Sequence, residues 1–298
     1  MDTKTILIFG GNGFLGSNIA LLASSLGWTV YISDKEEKSV TPDVRLRAAD
    51  ITNFEITNSI INDISPDVIV NAAAIADIDF AEKEREFTQK VNVDAAINIA
   101  MICKTKKIRH IFISSDAVFN GLKDEYTETD ITDPVNYYGK TKQEAEKGIM
   151  LVNPDSVIIR ISLVLGFPLG TGNSFVSEID NKLKDGNVIN APMDIIRTPV
   201  DVNTLANVVM ELGQNSFSGI IHIGSIEKIN RYDLACKLAI ALGYNPALIK
   251  PVMSTIVQSG KAPRHKNGIL NINKAGEVLK TKMLTLNDTI LNATQRIF

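Results

Sequence analysis

The chain has 298 residues, 45% apolar and 22% charged, with 31 Lys and Arg against 34 Asp and Glu for a formal charge of -3. That length suits one large α/β domain, alone or with a smaller cap, and the near-neutral balance gives no electrostatic reason to expect nucleic acid or an anionic membrane as partner. Cys103 and Cys236 are too few and too far apart for a disulfide framework or a metal site, the 3 histidines show no metal-ligand spacing, and no apolar run is long enough to span a bilayer.

The apolar run 5–9 ends at glycine, the pattern of a strand buried on both faces. It leads into glycines rather than a cleavage site, so the expectation is a cytoplasmic protein with no signal peptide. Over 14–26, Leu15, Ile19, Leu22 and Leu26 recur at helical spacing, and Gly27 stops the helix. Strands are predicted over 29–33 and 44–48, followed by a helix over 53–64 that stops before Pro66. A buried strand over 67–71 precedes a long helix over 88–104, and another strand covers 109–114. After a loop rich in Asp, Thr, Glu and Pro come a helix over 137–150 and a strand over 156–161. This alternation demands a parallel sheet with helices on both faces, a doubly wound α/β fold. Beyond Ile161 the rhythm breaks. Gly166, Pro168, Gly170 and Gly172 punctuate a loop, and 186–196 reads as irregular. Helices are predicted over 173–184, 202–212, 230–242 and 286–296, and a strand over 219–223.

Gly10-Gly11-Asn12-Gly13-Phe14-Leu15-Gly16 lies where the first strand passes into the first helix. In a Rossmann dinucleotide turn, glycines at this spacing permit the tight turn (Gly10), let a pyrophosphate approach the backbone (Gly13) and let helix pack on strand (Gly16). The helix N-terminus offers free N–H groups and a partial positive charge to the phosphates. Asp34, at the end of the second strand, is placed to meet an adenosine ribose diol. A carboxylate there favours NAD(H) and repels the 2′-phosphate of NADP(H), while Lys35 beside it softens that preference. Asp50, before Ile51, either reaches the adenine edge or caps a helix start. The implied organisation is a dinucleotide-binding Rossmann domain over 1–161 with segments returning near 196–223, and a smaller C-terminal substrate-binding cap over 162–195 and 224–298.

Tyr138 and Lys142 are four residues apart on one predicted helix and share a face. A tyrosine with a pKa of about 10 is a poor proton carrier at neutrality, and a neighbouring ammonium stabilises its phenolate. Tyr138 then becomes a proton donor to a carbonyl that receives hydride. Tyr137 and Lys140 leave the register open on composition alone. Ser114 and Ser115 end the preceding strand, at the sheet edge where ligands bind, either polarising a substrate oxygen or capping a turn.

Gly10-x-x-Gly13-x-x-Gly16, Asn71-Ala72-Ala73-Ala74, Ser114-Ser115 and Tyr138-x-x-x-Lys142 resemble an extended short-chain dehydrogenase/reductase of the dTDP-4-dehydrorhamnose reductase group. Asn71 to Asp79, Val91 to Ala95, and Ile113-Ser114-Ser115-Asp116-Ala117-Val118-Phe119-Asn120-Gly121 are similar to that group's motifs. Pro134-x-Asn136-x-Tyr138-Gly139-Lys140-Thr141-Lys142 matches its approach to the catalytic helix and sets the register on Tyr138. The match covers about 165 residues and then thins to Arg160, Arg197-Thr198-Pro199-Val200 and His222-Ile223-Gly224. The resemblance implies a catalytic set of Ser115, Tyr138 and Lys142, with Lys142 also holding the nicotinamide ribose. It implies close approach of the cofactor to Ala72, Ala73 and Ala74, further cofactor contacts from Asn12, Phe14, Leu15, Ile51, Ser114 and Ile161, and a sugar side formed by Asp77, Ser115, Val118, Asn173 and Arg197. Arg264 either clamps a diphosphate bidentately or lies on the surface. Ala117 stands where the group has Tyr, Asn120 where it has Asp, and Ile75-Ala76 where a more polar pair is common. These departures sit beside the sugar pocket rather than the proton donor.

The implied activity is NAD(P)-dependent reduction of a nucleotide-linked 4-keto-6-deoxy sugar. Partners are then a nucleotide sugar and, as an open expectation, a second copy of the chain. Two alternatives remain: a nucleotide-sugar epimerase, and a non-catalytic cofactor-binding subunit resembling the regulatory subunit of methionine adenosyltransferase. A dehydratase ranks lower, because Ala117 denies it an acid pair beside the serine.

Overall fold

Short strands buried on both faces make the centre of the molecule. In the computed structural model, which describes residues 3–36, 38–39, 43–169, 172–257 and 260–295, the sheet comprises β1 (Thr5–Phe9), β2 (Thr29–Asp34), β3 (Arg45–Ala48), β4 (Val68–Asn71), β5 (Arg109–Ser115), β6 (Val157–Ile161) and β7 (Gly219–Ile223). The 7 strands lie in the order β7-β6-β5-β4-β1-β2-β3, every neighbouring pair parallel. This is the doubly wound α/β arrangement expected from the alternation. The order reverses between β1 and β4, which opens a crevice beyond their carboxyl ends.

Period-two alternation divides each strand between two helical layers. Ile6, Ile8, Val68, Val70, Ile111 and Ile113 pack with α1 (Phe14–Ser25) and with Leu205, Val208 and Val209 of a later helix, Val202–Leu212. Leu7, Phe9 and Ile69 face the opposite way, onto α2 (Phe54–Ile64) and α3 (Ala95–Lys106). Phe112 and Ile158 meet α3 and α4 (Tyr137–Val152) on that same side. A second hydrophobic cluster draws on the later part of the chain. It joins Val176, Ile179 and Leu183 of α5 (Phe175–Lys184) to Leu234 and Leu238 of Arg231–Ala241 and Ile290 of Leu286–Thr294.

Three sequence expectations change. The stretch 186–196, read as irregular, contains the strand Ile189–Pro192, paired in parallel with Ile249–Val252. Its partner lies some sixty positions away, so no local pattern announces it. The helix expected over 88–104 is broken into Arg85–Gln89, a π-helical turn Lys90–Asp94, and α3. Ala275 and Leu279, placed with the cap, pack on the sheet cluster instead. Gly170 and Arg296, included in the expected loop and last helix, lie outside the described residues. Among the described residues no helix is long and apolar enough to cross a membrane.

One buried ion pair ties the layers beneath the sheet edge. Glu146 on α4 takes Arg160 of β6 in a fork, Nε to Oε1 at 2.9 Å and Nη2 to Oε2 at 2.6 Å, and also accepts from Ser114 of β5. Both partners are almost fully enclosed, with side-chain exposures of 3% and 5%. Removing one member strands the other charge, so Glu146→Ala is expected to lose about 3–5 kcal/mol, read from its urea unfolding midpoint.

Candidate active site

The carboxyl edge of the sheet brings the expected phosphate turn and proton-transfer residues together. Gly10 leaves β1 at φ 74°, and a Cβ there would stand 2.7 Å from the backbone N and Cα of Ala73. Gly16 is tighter still, because its Cβ would fall 2.2 Å from the Gly10 carbonyl oxygen. At Gly13 the nearest atom would be that same oxygen, at 3.2 Å. Gly11, not singled out from the sequence, packs against Ile32 of β2, where a Cβ would come within 2.3 Å of another. Gly172 likewise lies against the Phe14 backbone nitrogen and lines the cleft. The doublet of adjacent glycines is the only signal for Gly11, and the sequence marks Gly172 only as part of a glycine-rich loop.

The cleft over this turn measures about 490 Å³ and is lined by Gly10, Asn12, Gly13, Asp34, Lys35, Ile51 and Ala72 to Ala74. Asp34 is held at its mouth, Oδ2 accepting from Asn12 N–H at 3.0 Å and Oδ1 from Lys35 N–H at 2.8 Å. Lys35 Nζ reaches Asp50 at 3.2 Å and stands 4.8 Å from the Phe87 ring centre. Asp50 itself accepts from Thr52 N–H and hydroxyl at 2.9 and 2.7 Å. Asp50 thus closes the turn ahead of α2, whose start is capped by Asn53 rather than by Asp50, and it is not among the residues lining the cleft. Phe14 and Leu15 contribute backbone at the helix start, while the Leu15 side chain packs on the core, as does that of Ile161. The loop after β4 is clamped by Asn92, whose amide accepts from Ile75 N–H at 2.8 Å and donates to Ile75 O and Thr141 Oγ1, each at 3.1 Å. Asn92 sits in the π-helical turn. The extra residue of such a turn re-aims side chains, a displacement the hydrophobic period does not register.

Tyr138 and Lys142 rise from the first turns of α4, capped by Asn136, whose Oδ1 accepts from Gly139 N–H at 2.8 Å. Gly139 lets the helix close on the turn after β5, since a Cβ would lie 2.1 Å from Ala117 O. Tyr137 points elsewhere, its hydroxyl donating to Gln89 at 3.1 Å, which leaves Tyr138 facing Ser115. Burial pushes the Tyr138 phenol up to about 12, against the opposing hydrogen bond from Ser115. Burial pushes Lys142 the other way, down to about 8, although Glu146 opposes it. Lys142 Nζ donates to Ile113 O at 2.9 Å and lies 4.5 Å from the Phe112 ring centre. The sequence predicted a phenol with a lowered pKa. In this arrangement burial and the Asp116 charge outweigh the Ser115 hydrogen bond, and the Tyr138 phenol moves up instead, while the Lys142 ammonium is engaged by the β5 carbonyl.

The residues expected on the sugar side are placed less uniformly. Val118 is fully buried with Phe119, Tyr126 and Leu270, so its side chain packs rather than lines a pocket. Asp77 is exposed and caps the helix Ile78–Lys83. Asn173 is exposed and accepts from Ser177 Oγ at 3.1 Å. The Arg197 guanidinium is committed, donating to Ile196 O at 2.7 Å, Lys266 O at 2.9 Å and His265 O at 3.0 Å, with Nε 3.2 Å from Asp116. Arg264 forms a bidentate fork, but with a carboxylate of the chain itself: Asp79 takes Nη1 at 2.9 Å and Nη2 at 2.8 Å. That hydrogen-bonded pair holds Asp79 down to about 2. Asp116 and His265, in contact beside Ser115, had no assigned role in the sequence.

The reversing sheet order, the glycine turn at its switch point and the Ser–Tyr–Lys edge define an extended short-chain dehydrogenase/reductase. A family model described as the RmlD substrate binding domain matches residues 4–297, and the chain belongs to that family. A dTDP-4-dehydrorhamnose reductase of Aggregatibacter actinomycetemcomitans is 32% identical, over 77% of this chain and 76% of its own length. The mouse methionine adenosyltransferase 2 subunit beta is 29% identical, over 92% of this chain and 82% of its own. A crystal structure of a hypothetical dTDP-4-dehydrorhamnose reductase from Sulfolobus tokodaii superposes with a TM-score of 0.81 at 31% identity, covering 95% of this chain and 97% of the other.

Two glycine substitutions separate packing from ligand approach. Gly16→Ala forces backbone onto backbone and is expected to lower Tm together with cofactor binding. Gly13→Ala, whose Cβ would stand 3.2 Å from the Gly10 carbonyl oxygen, is expected to lower Tm less than Gly16→Ala yet lose at least tenfold in nicotinamide-cofactor affinity by fluorescence titration.

Proposed function

We propose that this chain is an NAD(P)-dependent reductase of a nucleotide-linked 4-keto-6-deoxy sugar. The observation that carries the reading is the set Ser115, Tyr138 and Lys142 on the same sheet edge as a glycine turn that leaves bare backbone at a helix N-terminus. The cleft fits a dinucleotide: its glycines leave bare backbone at the helix start, Asp34 waits at the ribose end, and the buried Asn71 Nδ2 beneath it has no hydrogen-bond partner among the described residues. Gly10, Gly13 and Ala72 to Ala74 would hold the pyrophosphate side, Asp34 the adenosine ribose and Lys142 the nicotinamide ribose. When bound, the nicotinamide supplies the hydride.

The chain's own residues supply the proton and the polarisation. Tyr138, kept protonated by its dry surroundings, donates to the carbonyl oxygen as negative charge develops there. Ser115 offers its hydroxyl to the same oxygen, and the Lys142 ammonium stabilises the phenolate left behind. Asp34 leads us to favour NAD(H). Its carboxylate opposes a 2′-phosphate, and the charge of Lys35 is partly met by Asp50. Support for the substrate class comes from the dTDP-4-dehydrorhamnose reductase relatives.

A second reading, a regulatory subunit, is favoured by the methionine adenosyltransferase beta relatives. The isolated chain decides between them. Turnover of a dTDP-4-keto-sugar with NADH, falling by about 100-fold or more in Tyr138→Phe, supports the reductase. Tight association with a methionine adenosyltransferase, with no reduction of any nucleotide keto-sugar, supports the subunit.

Two further outcomes follow from the charges. Lys142 loses its proton near pH 8 while Tyr138 keeps its own until about 12, so kcat/KM is expected to fall above pH 8, and Lys142→Arg to move that fall upward. Asp34→Ala is expected to shift the NADPH-to-NADH ratio of kcat/KM at least tenfold toward NADPH. An unchanged ratio would remove Asp34 from the ribose.

A further inference from the structure

Asp116 directly follows Ser115 and is buried, with 3% of its surface exposed. Its two oxygens live in different surroundings. Oδ2 receives Ser162 Oγ at 2.8 Å and faces Arg197 Nε and His265 Nε2, each at 3.2 Å. Oδ1 has the Ser115 hydroxyl, at 3.2 Å. A serine carries one proton, and one given to Asp116 is withheld from Tyr138 and from a substrate oxygen. The charge left on Oδ1 therefore decides where the Ser115 proton points.

We propose that His265 is a positioning residue of the reaction: paired with Asp116 at Oδ2, it draws the carboxylate's charge away from Ser115 and frees the serine hydroxyl for Tyr138 and the substrate. The inference rests on the reductase reading. Arg197 alone is poorly suited to the task, because the rest of its guanidinium is spread over three carbonyls. His265 is enclosed, 5% exposed, and neither ring nitrogen completes a hydrogen bond among the described residues; its ion-pair contact is with Asp116, Nε2 standing 3.2 Å from Oδ2.

The segment that carries His265 is fastened on both sides. Arg264 forks onto Asp79, Asn136 Nδ2 donates to Pro263 O at 2.9 Å, and Arg197 holds the His265 and Lys266 carbonyls. Gly268 makes the meeting possible, since a Cβ there would fall 2.1 Å from Asp116 Oδ2 and 2.9 Å from His265 Nε2. The site thus joins the catalytic strand to a segment far along the chain through one histidine–carboxylate contact.

The charged and titratable groups facing Asp116 are Arg197, His265, Arg231 at the start of Arg231–Ala241, and Tyr138 on α4. Burial alone raises the Asp116 carboxyl, but Arg197 and His265 beside it, with the hydrogen bond from Ser162, outweigh it and hold it below the usual range. The Asp116 charge in turn makes Tyr138 harder to ionise. Loss of His265 leaves that charge less compensated.

The test uses the full chain with NAD bound and carbon-13-labelled tyrosine, Tyr138 being assigned by its loss in Tyr138→Phe. In His265→Leu the Tyr138 ring-carbon titration is expected to move upward by roughly one pH unit. His265→Gln, which keeps an N–H for Asp116, should recover part of the shift. On a substrate that the wild type turns over, His265→Leu should lower kcat about tenfold with KM and cofactor affinity held, a split that a merely structural residue would not give. A folded His265→Leu protein whose Tyr138 titrates as in the wild type overturns the proposal. If His265→Leu does not fold, the double variant His265→Leu/Asp116→Asn removes the uncompensated charge. Tyr138 must then titrate at or below the wild-type midpoint, and a higher midpoint overturns the proposal equally. Failure of the wild type to reduce any keto-sugar would defeat the reductase reading while leaving the titration to decide the His265–Asp116 coupling.

Discussion

The structure depends on how closely two backbones approach at the switch point of the sheet. The turn after β1 lies on the chain leaving β4, with Gly10 against Ala73, and the first helix then lies on that turn, with Gly16 against the Gly10 carbonyl. A side chain at either glycine would separate these layers by more than packing at crystal-like density allows. Because they touch, the N-terminus of α1 and the small residues Ala72 to Ala74 share one cleft wall. The same device recurs at Gly139, which sets α4 against Ala117 and so carries Tyr138 to Ser115.

Around that frame the polar interior is organised in two tiers. The lower tier is the Glu146–Arg160 fork with Ser114, which fixes β5, β6 and α4 relative to one another. Such a pair contributes geometry more than net stability, since desolvation offsets its attraction. The upper tier is the Asp116 cluster, which faces Tyr138. Between them lie Tyr138 and Lys142, whose burial moves the phenol up and the ammonium down.

Side chains from distant parts of the chain fasten the segment before His265 to the rest of the fold. Arg264 to Asp79 and Asn136 to Pro263 both join the segment before His265 to elements beside Tyr138. Asp79 and Arg264 fall among residues whose types suggest ligand binding, and in the unliganded chain they satisfy one another. Arg197 behaves in the same way, its donors spent on the backbone that positions His265.

The sequence by itself determined the doubly wound sheet, the glycine turn, the strand-end acid and the Tyr–Lys spacing, because each is written in local periodicity or in a contiguous motif. It left open what Asp50 does and which way Arg264 points. It also placed Val118 in a pocket where the structure buries its side chain. Tertiary structure alone decided that 189–192 is a strand, since its partner at 249–252 is remote. It also decided that a π-helical turn aims Asn92 into the loop after β4, and that His265 meets Asp116. The physical reason is common to all three. Hydrogen bonds and charge pairs between distant segments leave no period in the sequence, and they set the environment from which a titrating side chain takes its behaviour.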